Sequence, residues 1–202
     1  AVITFFTTGH YRRPGEKQWR RREPNAYGKW VFVKSNARRL SDAKDRAMLT
    51  MMAERKLRDL KADISDLVPL LGREGRSVHA LLANTDPGRA RALIAKLPAA
   101  VRSDLRALNL KGRDFSHLKV PVILIHGLDD AIIPYSESEA LARAIPGGRA
   151  ELYGVDSLAH VELSFGGVID TFVMWRAVYK LLERRDALAV APSLSRAAKP
   201  RR

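Results

Sequence analysis

Residues 120–135, Val-Pro-Val-Ile-Leu-Ile-His-Gly-Leu-Asp-Asp-Ala-Ile-Ile-Pro-Tyr, restrict the fold more than any other stretch of the chain. Val120, Val122, Ile123 and Ile125 are β-branched, and the run is apolar as far as Ile125. That is the pattern of a strand buried on both faces, as parallel sheets demand. His126-Gly127 ends the run, and two carboxylates, Asp129 and Asp130, follow at once. Open α/β sheets collect their functional groups just past the carboxyl ends of their strands. Taken alone, the same two aspartates would also serve an ordinary turn that caps the helix after Pro134.

A second strand is expected at Ala150-Glu151-Leu152-Tyr153, followed by Gly154-Val155-Asp156-Ser157-Leu158-Ala159-His160. Between the two strands, Ser136 to Ala144 has the pattern of a helix and Pro146-Gly147-Gly148 that of a turn, which makes a β-α-β unit. Together the two pieces resemble the C-terminal third of an α/β-hydrolase, whose penultimate strand ends in H-G-x-x-D and whose last strand leads to a histidine loop. Gly127-Leu128-Asp129-Asp130 matches G-x-x-D, and Ile132-Ile133-Pro134 matches the usual continuation. The resemblance covers residues 118 to 185. It implies that Asp130, rather than Asp129, is the acid of a Ser-Asp-His triad and that His160 is its base. The order Asp then His agrees with that family.

The same resemblance implies an α/β fold class: the late strands of a mostly parallel α/β-hydrolase sheet with an inserted helical cap. Residues 1–9 would be a core strand, from the apolar Ala1 to Phe6 ended by Thr7-Thr8-Gly9. Residues 10–112 would be the cap. They open on a polar, Arg-rich loop (His10 to Ala26) in which Trp19 sits among Arg12, Arg13 and Arg20 to Arg22. From Leu40 the pattern turns helical, with Ser41 as N-cap and a stripe through Met48, Met51, Met52 and Leu57. The methionines could line an acyl pocket, but a helix-to-helix core is the better reading. Pro69 and Gly72 to Gly75 break that helix. Shorter ones follow at Ser77 to Asn84, from Asp86-Pro87 to Leu97, and from Pro98. Residues 113–186 would be the C-terminal core. Its final helix, Val168 to Leu182, carries a buried stripe of Phe172, Trp175, Val178 and Tyr179. Residues 187–202 read as a disordered basic tail.

A triad needs a serine on a sharp strand-to-helix turn flanked by small residues. Ser77 has Gly75 before it, but His79 stands where the second glycine belongs, and Ser164 follows the histidine in the wrong order. The elbow and the oxyanion donors beside it are therefore expected outside this chain. His126 reads as structural, within the H-G turn. His10 and His79 lack the spacing of metal ligands. Neither a metal nor an organic cofactor is expected.

Composition narrows the remaining choices. There is no cysteine, which excludes a disulfide scaffold and thiolate metal sites. No apolar run is long enough to span a membrane, no signal peptide is visible, and a cytoplasmic location is expected. The chain begins with Ala, so residue 1 need not be a true start. The formal charge is +14, concentrated at Arg12 to Arg39 and Arg184 to Arg202, and a basic surface favours polyanions. The expected function is hydrolysis of a carboxylic ester or similar small acyl substrate, with this segment inactive by itself. The alternative is a non-catalytic, hydrolase-derived module that binds nucleic acid or an acidic partner through its basic N-terminal region. The sequence leaves the oligomeric state open.

Overall fold

The computed structural model describes residues 2–110, 112–156, 158–159, 162–163 and 168–196. Its class is mixed α/β. It divides into two compact units, Ala1–Gly112 with Ala131–Glu137, and Arg113–Asp130 with Ser138–Arg202.

The first unit is helical from its start. Val2–Thr8 forms α1, which corrects the expected core strand at 1–9. The two threonines supply the reason. Thr7 Oγ1 donates to the Ile3 carbonyl at 2.9 Å and Thr8 Oγ1 to the Thr4 carbonyl at 2.7 Å, bonds that a helix offers four residues back and a strand does not. Gly9, at φ 73°, closes the helix by donating its N–H to the Phe5 carbonyl. Within the expected loop, His10–Tyr11 (β1) pairs antiparallel with Arg20–Arg21 (β2). Ala26–Asn36 then forms α2, which apolar periodicity does not announce. Its signal is local: the Asn25 side chain accepts from the Gly28 N–H at 2.7 Å as N-cap.

Two carboxylates join the next two helices reciprocally. Ala43–Arg58 is α3, and its N-cap is Asp42, not Ser41. Arg73–Leu82 is α4, whose own N-cap residue, Gly72, has no side chain to offer. Asp45, on α3 and fully buried, takes that role: its two oxygens accept from the Gly72 and Gly75 N–H groups. Glu74, on α4, returns the favour by accepting from the Ser41 N–H at 2.7 Å and the Ser41 hydroxyl at 2.6 Å. Gly75 therefore lies inside α4 rather than in a break. A Cβ there would stand 2.6 Å from an Asp45 oxygen.

Ala90–Ala95 (α5) and Ala99–Leu108 (α6) complete the helices of this unit. Its core joins Val33, Ala37 and Leu40 to Leu49, Met52 and Leu71, with Leu81, Leu93 and Leu97 forming a second cluster. Met52 is fully buried in the main cluster and Met48 packs on it, so these two are core, whereas Met51 is exposed. Between the helices an apolar cavity of about 80 Å³ is left unfilled.

In the second unit, Val122–Gly127 (β3) and Ala150–Val155 (β4) pair in parallel, from Val122↔Ala150 to Gly127↔Val155. The chain between them includes the helix Ser136–Ala144 (α7), with the expected bounds. Leu158–Ala159 (β5) and Glu162–Leu163 (β6) form a short antiparallel pair. Val168–Arg196 is α8, which packs on β4 and β3. Two expectations fail on this helix. It continues through residues 187–196, where a disordered tail was expected; 197–202 lie outside the described residues. Its aromatic stripe is not buried either, for Phe172, Trp175 and Tyr179 are 70%, 68% and 63% exposed. Among the described side chains of the helix, Ala177 and Asp170 are buried instead. Among the described residues no helix is long and apolar enough to cross a membrane.

The reciprocal caps make two stability predictions. Asp45→Ala strands two buried N–H groups and should cost about 2–4 kcal/mol in urea unfolding of the full chain. The Ser41 hydrogen bond holds the Glu74 carboxyl below its ordinary value of 4.5. A lowered folded value means that Glu74 stabilises above that ordinary value, and the contribution is lost as pH falls through the lowered one. Unfolding curves for Glu74→Gln should therefore lose less stability between pH 5 and about 3 than those of the unaltered chain.

Candidate active site

The parallel register decides which groups share one end of the sheet. Gly127 and Val155 are partners at the carboxyl ends of β3 and β4. The turn after β3 and the segment after β4 therefore leave the sheet side by side. Asp130 lies in the first and is 5% exposed, whereas Asp129 is exposed. Its backbone N–H donates to the Gly127 carbonyl at 3.4 Å, which closes the turn. Of the two aspartates, only Asp130 is buried. His160, the expected base, lies outside the described residues, as does Ser164.

Gly127 holds its place because of space, not backbone conformation. A Cβ on it would collide with the Leu158 carbonyl oxygen of β5. The segment after β4 thus crosses directly over the end of β3, and only a residue without a side chain lets it through. That segment is anchored from α8 as well. Asp170, buried in the first turn of the helix, accepts from the Asp156 N–H at 3.1 Å.

Asp130 has a near neighbour that the sequence does not assign to it. His126 Nε2 stands 3.5 Å from Asp130 Oδ2, both side chains being nearly buried. At that distance the contact is electrostatic rather than a short hydrogen bond. The other ring nitrogen, Nδ1, lies 2.6 Å from the Ser138 hydroxyl oxygen on α7. A proton on Nε2 would face the Asp130 carboxylate. In the neutral ring Nδ1 then accepts from the Ser138 hydroxyl. The result is a hydroxyl–imidazole–carboxylate row in which His126 faces one oxygen of Asp130. His126 was expected to be structural, and its ties to Ser138 and Asp130 give that role a content. Ser138 and Asp170 were missed because a serine or an aspartate in the first turn of a helix reads simply as a capping residue.

The remaining candidates are spoken for by local structure. Ser77 sits within α4, its hydroxyl donating to the Glu74 carbonyl at 2.6 Å, and so is not on a strand-to-helix elbow. His79 is half-buried on the same helix, and burial pushes its pKa down. His10 Nδ1 is 2.9 Å from the Thr8 carbonyl. No group of three or more metal-ligating side chains occurs among the described residues. In the basic N-terminal region, the Arg12 guanidinium stands 4.0 Å over the Trp19 ring. The His10 ring meets Trp19 edge-on, with centroids 6.4 Å apart. Arg20 grips Glu16 with two bonds of 2.8 and 2.7 Å, and this holds the Glu16 carboxyl below its ordinary value. Trp30 packs against the helical core. One face of Trp19 and one arginine fork are thus already engaged within the chain, which weakens a base-stacking role for this region.

Gly127→Ala should force the β5 backbone away from the end of β3 and lower the unfolding free energy by about 1–3 kcal/mol. Ser138→Ala should cost about 1 kcal/mol and move the His126 ¹⁵N resonances without unfolding the chain. No protein-family model matches the chain, and neither the curated proteins nor the solved structures include a match to it.

Proposed function

We propose that the chain is the C-terminal part of an α/β-hydrolase that cleaves a carboxylic ester or similar acyl substrate. Asp130 is its triad acid, His160 its base, and the nucleophilic serine lies outside residues 1–202. The observation that carries this reading is the buried Asp130 carboxylate just past β3, with the exit of the parallel partner β4 alongside. In such a site the serine hydroxyl gives its proton to the imidazole as it attacks the acyl carbon. The aspartate holds the ring in the right tautomer and stabilises the imidazolium that forms. An acid and base alone have no hydroxyl to activate, so these residues do not turn over substrate without the missing serine.

The state of the sheet and of α8 supports the same reading. Among the described residues β3 pairs with β4 alone. A two-stranded parallel sheet is too small to be stable unaided, and parallel sheets are covered on both faces. Ile125 of β3 is exposed, as are Phe172, Trp175 and Tyr179 of α8. Apolar surface of this kind is what further strands and helices of a hydrolase core would cover.

A fluorophosphonate probe tests the proposal on the full-length product. It should label one serine, located outside residues 1–202. Asp130→Asn and His160→Gln should each slow labelling about a thousandfold or more. Labelling that ignores both substitutions, or no labelled serine at all, would overturn the reading.

A further inference from the structure

The apolar cavity of the helical unit is not used by any step of the proposed reaction, and its chemistry restricts what it can hold. Its floor is Ala37, Leu40, Leu49 and Leu81, all buried. Phe32 stands at its edge and is 45% exposed, which leaves a way in from solvent. Thr7 and Asn36 supply the only polar side chains in the wall, and each already donates a bond within the chain. Thr7 Oγ1 donates to the Ile3 carbonyl at 2.9 Å, and Asn36 Nδ2 donates to the Phe32 carbonyl at 2.8 Å. No charged residue lines the wall.

The surface the wall presents is almost wholly carbon, so a polar or charged atom placed inside would be desolvated with little compensation. Water meets the same objection, because a buried water needs two to four polar partners. At about 30 Å³ per water, the space of about 80 Å³ equals about two or three waters, the scale of a single small ring or a short alkyl chain. No methionine lines it; the wall is Leu, Val, Ile, Phe and Ala, which adapt less readily than Met. We infer that this cavity is a binding site for a small, wholly apolar group, an aryl ring or an alkyl chain of a few carbons, which enters past Phe32 and leaves any polar head outside.

The test is a titration of the full chain with benzene, n-propylbenzene and sodium benzoate, followed by methyl NMR and thermal unfolding. Benzene and n-propylbenzene should give saturable shifts confined to methyl groups such as those of Val33, Leu49, Leu81 and Leu105, and should raise Tm. Benzoate should do neither. Ala37→Leu fills the cavity from its floor and should weaken n-propylbenzene binding at least tenfold. Val101→Phe fills it from α6 and should act the same way, which keeps the test decisive if either variant folds poorly. The inference is overturned if neither hydrocarbon gives saturable shifts, if benzoate binds as well as benzene, or if the folded filling variants keep full affinity. None of these readouts depends on the nucleophilic serine, so failure here and failure of the hydrolase reading are separate results.

Discussion

The hydrogen-bonded parallel register of β3 with β4 is the constraint on which the candidate site depends. A side chain can be catalytic only if the backbone brings it to its partner, and a parallel pair brings two chain exits to the same end by its geometry alone. A slip of one residue would reverse the face of every side chain in the slipped strand. It would also carry Gly127 away from the Leu158 carbonyl, an approach that a larger residue would block. Gly127 thus acts as a register mark as well as a gap. Asp170 acts from the helix side, holding Asp156 at the start of the crossing segment.

Much of this unit was legible because its signals are local and strong. A β-branched run, a helix between a cap and a Pro-Gly-Gly turn, and a second short strand each mark an element that forms, although β3 starts at Val122, runs through His126-Gly127 and leaves Ile125 exposed rather than buried on both faces. The helical unit was less legible for a physical reason. Its organising contacts are two carboxylates that cap one another's helices across about thirty residues of sequence. A buried Asp45 looks, in sequence, like any charged residue on a helix face, and Gly72 and Gly75 look like breakers. Only the tertiary contact turns the glycines into the N-terminus of α4.

The two ends of the chain mislead in opposite ways. Val2 to Phe6 has strand-like composition, yet Thr7 and Thr8 bond backwards to helix carbonyls and Gly9 supplies the left-handed stop. Composition is the weaker guide when capping geometry disagrees with it. On α8 the periodicity itself was sound, since Phe172, Trp175 and Tyr179 do share one stripe, but the stripe facing the sheet is the one with Asp170 and Ala177. An apolar period shows that a face wants covering. It does not say what covers it.

Asp130 gives the chemical form of the same point. A triad acid must stay ionised and keep one orientation while the imidazole beside it gains and loses a proton. A carboxylate has two oxygens, and here Oδ2 faces His126, which Ser138 steadies through its other nitrogen. A nearly buried, anchored imidazole 3.5 Å away limits the space in which the buried carboxylate can rotate. Orientation prepared in this way need not be provided when substrate binds, which is why preorganised groups serve catalysis better than mobile ones. The H-G of the motif then has two separate duties. The glycine admits the crossing segment, and the histidine stands beside Asp130, which is proposed as the acid that His160 meets.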